Sequence, residues 1–499
     1  MLEGRRENYM TVEGFVRFMS SEEEQILRRE HRGVYQDMTQ PLSSYYVSSS
    51  HNTYLLSDQI LGQSHLYAYS SALLRGCRCL EIDCWDGDEP VVYHGHTLTS
   101  RLLFKSVISI IAQYAFQASP YPVILSLEDH CSPKQQEVMA RHLTVILGDK
   151  LLTTTVANES CTCLPSPEAL KGKILIKHKK AGLLQDTILS PAPSAQGQVE
   201  EYEEVEDTKN RRLSMNLLRR TTAESTTNPE TQGQKMKISM ALSDLVIYTK
   251  SQKFISFQHS RENQKFYEIN SLTENVARKL ARHHAPEFIQ HTRNFITRIY
   301  PRGTRTDSSN FCPHEFWSVG CQMVAINFQT PGIPMDLQGG KFLDNGRCGY
   351  VLKPEYLRTE RSKVQPYEAR TRRRPKFFII KVISGFLLPH GSLSTTPSLI
   401  VRVEIYGIPA DEGRKQTNVV KNNAFNPQWN QSLTFSLQLP ELVLIRFCLE
   451  DQHTLIPNEM LGQYTLPLTS MAKGYRHIPL LNKHGQSLAP ASLFIHVWY

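Results

Sequence analysis

The run Cys79-Leu80-Glu81-Ile82-Asp83-Cys84-Trp85 limits this chain more tightly than any other segment. It has the composition of a buried β-strand, yet it carries two acids. Side chains two residues apart leave a strand on the same side, so Leu80, Ile82 and Cys84 face one layer while Glu81 and Asp83 converge on the other. Two uncompensated buried carboxylates would cost roughly several kcal/mol, so a cation must lie between them. An Arg or Lys partner and a bound metal both satisfy that demand.

Neighbouring segments turn the balance toward a metal. Ser50-His51-Asn52-Thr53-Tyr54 lies upstream, Val91-Val92-Tyr93-His94-Gly95-His96 follows closely, and the apolar run Pro122 to Leu127 ends in Glu128. Each puts a polar group at the end of a short strand-like run. The carboxylates of Glu81, Asp83 and Glu128 with the amide oxygen of Asn52 make an all-oxygen set. Such a set suits a hard cation such as calcium, at ligand distances of about 2.3–2.6 Å, better than zinc. His51 and His94 are then spare for proton transfer or charge stabilisation.

A chain of 499 residues with 40% hydrophobic content has room for two or three domains. No continuous apolar stretch of about 18 residues occurs, and Met1 to Arg6 leads into polar sequence rather than a signal-peptide core. A cytoplasmic protein that reaches membranes from their surface is expected. The ten cysteines show no CxxC spacing, so reduced structural thiols are expected. Part of the net charge of +8 is concentrated in Arg370, Arg372, Arg373, Arg374 and Lys376. That run is either a solvated linker or a contact for anionic headgroups, worth roughly 1 kcal/mol per basic residue. Neither aromatic interleaving nor a nucleic-acid-binding signature accompanies it, which argues against a nucleic-acid partner.

The texture changes along the chain in six steps. Residues 1–37 read as a helical lead-in, with Val12, Phe15, Val16 and Phe18 forming an incomplete apolar stripe and no calcium-loop motif. Residues 38–182 alternate strand-like and helix-like runs. Residues 183–236 turn to Pro, Ser, Thr, Gln and charge, acidic first and basic later, and are expected to be disordered. The βα beat resumes over 237–354, a basic linker spans 355–375, and 376–499 is strand throughout. These steps predict a TIM-type (βα)8 barrel split by a disordered linker, with chemistry at the C-terminal ends of its strands. An antiparallel β-sandwich is predicted to follow it.

From about residue 10 to its end, the chain resembles eukaryotic phosphoinositide-specific phospholipase C. The resemblance is carried by Ser50 to Tyr54, Gly76 to Gly87 and Pro122 to Glu128, which look like the X box of that family. Arg298-Ile299-Tyr300-Pro301, Arg305 to Asn310 and Gly349 to Pro354 look like its Y box, and the tail looks like its C2 domain. Ala241 to Lys250 and Phe257 to Arg261, without a pleckstrin-homology domain, look most like the sperm-type zeta branch, with delta next. The lead-in then corresponds to an EF-hand remnant.

The resemblance implies calcium-dependent cleavage of phosphatidylinositol 4,5-bisphosphate to diacylglycerol and inositol trisphosphate through a cyclic phosphodiester. Asn52, Glu81, Asp83 and Glu128 become the calcium ligands, Glu128 also the base, His51 the group that stabilises the phosphorane, and His94 the acid for the leaving oxygen. Lys177, Lys179, Ser271 and Arg298 become ligands of the ring phosphates, and Tyr300 packs on the inositol ring. It further implies a monomer, peripheral on phosphoinositide membranes, with a perinuclear or nuclear pool. Ile60 and Leu98 are the candidates for an apolar rim at the barrel mouth.

The chain also departs from the family. His96, Arg278 and Thr304 stand where larger or apolar groups are common. The first loop of the C2 region, Pro389 to Ser398, has no aspartate, and the second offers only Asp451 beside His453 and Asn458, so little or no calcium should bind there. The insert is acidic first where the zeta branch is usually basic, and its Arg211-Arg212-Leu213-Ser214 resembles a basophilic kinase site. The rival reading is a catalytically silent phosphoinositide-binding scaffold, a class that should lack a histidine or a metal ligand. Here every matched position is filled.

Overall fold

The structure, a computed structural model, describes residues 11, 13–14, 21, 24–156, 162–181, 238–360, 375–391, 397–453 and 455–499. The stripe residues Val12, Phe15, Val16 and Phe18, the insert 183–236 with its kinase-like motif, and the basic run Arg370 to Arg374 lie outside the described residues. By contact density the chain forms two compact units. One comprises Asp37–Phe311 with Gly320–Thr330, the other Met1–Gln36, Cys312–Val319 and Pro331–Tyr499.

The first unit holds eight parallel strands: β1 (Ser49–Ser50), β2 (Cys79–Trp85), β3 (Val123–Asp129), β4 (Ile174–Lys177), β5 (Lys250–Ser251), β6 (Glu268–Thr273), β7 (Thr297–Tyr300) and β8 (Met323–Ile326). Each pairs with the next, and β8 returns to β1 through Ala325↔Ser49. Between β4 and β5 the link is the bridge His178↔Lys250, with the Ser251 N–H donating to the His178 carbonyl at 2.9 Å. The ring of eight parallel strands is therefore closed, as the βα beat predicts.

Helices cover the outside of the first three strands: α1 (Leu66–Leu74), α2 (Phe104–Tyr114) and α3 (Pro133–Leu147). In α2 the apolar residues Phe104, Val107, Ile108 and Ile111 recur at helical spacing and are all buried, so one stripe seals against the sheet. Leu80, Ile82 and Cys84 of β2 join that stripe and Met139 and Leu143 of α3 in one hydrophobic core. Strand alternation sends Glu81 and Asp83 to the opposite, inner side. Arg78, just before β2, is fully buried and donates to the carbonyls of Leu73 (3.2 Å), Cys77 (2.7 Å), Ala115 (2.6 Å) and Ser119 (3.2 Å). One guanidinium thereby satisfies carbonyls at the C-terminal ends of α1 and α2.

The second unit holds nine antiparallel strands: β9 (Lys376–Phe386), β10 (Ser398–Tyr406), β11 (Gly413–Gln416), β12 (Val420–Lys421), β13 (Gln428–Leu437), β14 (Leu444–Asp451), β15 (Glu459–Pro467), β16 (Gly474–Leu481) and β17 (Ser487–Trp498). Their order is β11-β10-β14-β15-β16-β17-β9-β13, with β12 against β10. The thin join is between β15 and β16, which share only the pair Gln463↔Leu481. Alternate residues such as Phe378, Ile380, Val382, Val401, Val403, Phe447, Leu449, Leu493 and Ile495 fill the sandwich core.

Residues before the barrel contribute here as strand-like pieces. Gln25 and Leu27 bridge to His477 and Met471, Ile26 enters the core, and Arg29–Arg32 forms a 3-10 turn. The helix Ile333–Lys341 packs on β15 so closely that a Cβ at Gly340 would come within 2.4 Å of Thr465. Its Asp336 meets the buried Arg446 at 2.9 Å.

Candidate active site

The register Asp83↔Glu128 between β2 and β3 sets two acids side by side, and Glu81 lies two residues earlier on the same face. Ligand-type oxygens of the three carboxylates lie within 4.8 Å of one another. The two remedies for buried acid divide between them. Glu81 Oε1 meets the Arg298 guanidinium at 2.8 Å, and its Oε2 accepts the Asn52 backbone N–H at 2.9 Å. Asn52 reaches it through a positive φ of 39°, a conformation asparagine tolerates better than most residues.

Among the described residues no cation pairs with Asp83 in this way. Its Oδ2 accepts the Tyr54 hydroxyl at 2.6 Å, while the buried Oδ1 accepts no hydrogen bond. Burial, then the charges of Glu128 and Glu81, push the Asp83 carboxyl well above the usual carboxylate range. An orphaned carboxyl oxygen beside two further carboxyl groups fits a divalent cation that would displace the proton, and donors that are all oxygen favour calcium over zinc. Glu128 is the accessible member: its side chain is 43% exposed, and its Oε1 lies 3.2 Å from His130 Nε2. Asn52 Nδ2 donates to Gln59 Oε1 at 2.7 Å, which fixes the orientation of that amide.

Both histidines are tethered by Nδ1. Asn327 Nδ2 donates to the Ser308 carbonyl at 3.0 Å, so its Oδ1 faces His51 Nδ1 at 2.8 Å and must accept. His51 Nε2 then points toward Glu81 Oε2, 3.9 Å away. Burial lowers the proton affinity of His51, with Glu81 opposing and Arg298 adding to the effect. His94 Nδ1 donates to the Gln59 carbonyl at 2.6 Å. In each ring the tether occupies Nδ1 and fixes the ring plane.

The proposed headgroup ligands come from the next strands round the barrel. Lys177 at the end of β4 is buried, 3.4 Å from Ser126 Oγ, and burial with the nearby Arg298 charge brings its ammonium down to about 8. Lys179, two residues on, is exposed. Ser271 stands opposite Arg298 in the β6–β7 register, and its buried Oγ has no hydrogen-bond partner. The Arg298 guanidinium also sits over the Tyr300 ring, 5.6 Å from its centroid.

Sequence reasoning missed Gln59, Asn327 and the Tyr54–Asp83 contact. Asn327 ends a strand-like run, the same signal that marks Glu128, whereas Gln59 lies in a loop and gives none. At the rim Leu98 is 69% exposed and donates its N–H to the Ile60 carbonyl at 3.0 Å. Ile60 itself is half-buried and its neighbour Leu61 is 67% exposed, so Leu61 is the more prominent apolar group.

Residues 38–180 match the family model "Phosphatidylinositol-specific phospholipase C, X domain", 242–356 match its Y domain, and 377–481 match the C2 domain. The chain is 53% identical to "1-phosphatidylinositol 4,5-bisphosphate phosphodiesterase zeta-1" of Macaca fascicularis, over 100% of this chain and 81% of the relative. The Homo sapiens zeta-1 protein is 54% identical over 100% and 80%, and the Xenopus laevis delta-4 protein 46% over 98% and 64%. Among solved structures, S. officinalis PLC21 superposes with a TM-score of 0.81 at 33% identity, covering 98% of this chain and 59% of that one. A closed βα barrel with this carboxylate and histidine set, followed by a C2 sandwich and matched along its whole length by such relatives, belongs to the phosphatidylinositol-specific phospholipase C family.

Proposed function

We propose that this chain hydrolyses phosphatidylinositol 4,5-bisphosphate at a membrane surface, releasing diacylglycerol and inositol 1,4,5-trisphosphate through a cyclic phosphodiester. The observation that carries the reading is the cluster of Glu81, Asp83 and Glu128 with its orphaned Asp83 Oδ1, flanked by two imidazoles tethered through Nδ1. Asn52, Glu81, Asp83 and Glu128 would hold calcium. Bound there, the ion lowers the pKa of the inositol 2-hydroxyl and offsets phosphate charge.

The chain's own residues divide the remaining work. Glu128, accessible and acidic, takes the 2-hydroxyl proton. His51, once protonated, donates from Nε2 to the crowded phosphorane while Asn327 holds the ring. His94 delivers a proton from Nε2 to the diacylglycerol oxygen. Each such positioned group typically gives about 10²–10⁴-fold. Lys177, Lys179, Ser271 and Arg298 bind the ring phosphates, and Tyr300 packs on the ring. Arg298 moves part of its pairing from Glu81 to phosphate when lipid enters.

Among the described residues no helix is long and apolar enough to cross a membrane. Leu61 and Leu98 would dip into the bilayer edge of a monomer working in the cytoplasm or at a perinuclear or nuclear pool. The products would drive intracellular calcium release, as at egg activation. The C2 region would meet lipid with little or no calcium, since its first loop, Pro389 to Ser398, has no aspartate to set beside Asp451. Micromolar calcium binding by the sandwich in a calorimetric titration of Glu81→Gln/Asp83→Asn protein would contradict that.

The direct test is release of inositol trisphosphate from vesicles containing the bisphosphorylated lipid. Release should fall by at least about 10²-fold in His51→Ala and on calcium chelation. Vesicle binding without release by the unaltered chain would favour the scaffold reading.

A further inference from the structure

Cys312, His314 and Glu412 form a second reactive constellation, and none of them belongs to the lipid-hydrolysing set. All three lie in the unit that holds the sandwich. Cys312 Sγ is 3.1 Å from His314 Nδ1, and His314 Nε2 is 2.8 Å from Glu412 Oε1. A carboxylate only accepts, so Nε2 carries the hydrogen and Nδ1 faces the thiol as its base. A nucleophile, a base and a third group that orients the base are thus in line.

The ring is enclosed while the thiol and the carboxylate can be reached. The His314 side chain is 10% exposed, with the Tyr406 ring edge-on to it at 5.4 Å, whereas Cys312 is partly exposed and Glu412 is 49% exposed. Burial works against a charged ring, but the hydrogen bonds to Cys312 and Glu412 outweigh it and raise His314 to about 9. His314 in turn holds the Glu412 carboxyl below its usual range. The next charges are already paired: Glu404 accepts the Tyr406 hydroxyl at 3.0 Å and meets Arg446 at 2.8 Å.

We propose that Cys312 is a peroxide-reactive thiol, activated by His314 and Glu412, and is the modification site of this chain for hydroperoxides. The Sγ proton passes to His314 Nδ1. The sulfur attacks one peroxide oxygen, an S–O bond forms, and the O–O bond breaks with its electron pair going to the other oxygen. That oxygen takes the proton back from Nδ1 and leaves as water. Sulfur is oxidised by two electrons to sulfenic acid and hydrogen peroxide is reduced.

The test treats the full chain with substoichiometric hydrogen peroxide, traps sulfenic acid with dimedone and quantifies adducts by peptide mass spectrometry. Cys312 should be modified about tenfold or more faster than Cys163, which is exposed. His314→Gln should slow Cys312 about tenfold or more. Glu412→Gln, on an exposed side chain and so safe for folding, should slow it severalfold. Equal rates at Cys163 and Cys312, or a Cys312 rate unchanged in both variants, would overturn the proposal.

Discussion

Arg298→Met separates the two remedies for buried acid in this barrel. Arg298 and Glu81 are 3% and 4% exposed and meet at 2.8 Å, so the substitution strands a carboxylate in the interior. Breaking one side of a buried pair costs about 3–5 kcal/mol. At about 2 °C per kcal/mol for a domain of this size, unfolding in chelator should begin some 6–10 °C lower. The same change removes a positive charge from the edge of the proposed calcium site. Even at an effective dielectric of 20, a unit charge about 4 Å away is worth about 4 kcal/mol, so calcium should bind the variant at least about tenfold more tightly. Thermal unfolding in chelator and along a calcium series, with calorimetric titration, reads both effects. At a hundredfold excess over Kd, calcium should restore about 2.7 kcal/mol of stability. A variant that unfolds at the parent temperature in chelator, or binds calcium more weakly than the parent, would refute the reasoning.

Three further outcomes follow from single contacts. Asn327→Leu removes the acceptor that fixes the His51 ring, so kcat on vesicles should fall about 10²-fold with vesicle binding kept; a parallel loss of binding would count against it. His291 is buried with neither ring nitrogen hydrogen-bonded, and burial holds it down at about 3. The unfolded chain takes up this proton below about pH 6.5 while the fold stays neutral, so stability falls as pH drops from there toward 3, by up to about 1.4 kcal/mol per unit. His291→Leu should flatten that slope in urea unfolding at pH 7, 6, 5 and 4. Arg78→Met removes the donor to the Ala115 carbonyl at the end of α2 and one of the donors to the Leu73 carbonyl at the end of α1, and should cost about 1–3 kcal/mol in chemical unfolding, whereas a loss under about 0.5 kcal/mol would show that other donors serve them.

Much of the barrel was legible because its signals are local. Period-two alternation in β2 separates the helix-facing Leu80, Ile82 and Cys84 from the acids, and the parallel register needs only the next strand to bring Glu128 beside Asp83. The sandwich was legible for the same reason. Other features were not local. The helix Ile333–Lys341 groups with the sandwich unit by contacts such as Asp336–Arg446 and Gly340 against Thr465, which no pattern within the helix announces. Leu61 exceeds Ile60 in exposure because the loop turn, not hydropathy, decides which side chain leaves the surface.

The sequence by itself determined the chemical inventory: three acids and an amide for a hard cation, two imidazoles, basic residues for phosphate, and the βα and all-strand rhythms that carry them. Only the tertiary structure decided who meets whom. Glu81 is answered by Arg298 and Asp83 is not, and His51 and His94 are tethered by Asn327 and by the backbone of Gln59. Closure of the ring, from β8 back to β1, draws these distant positions to one centre, and closure depends on strand tilt and register around all eight strands rather than on any one segment.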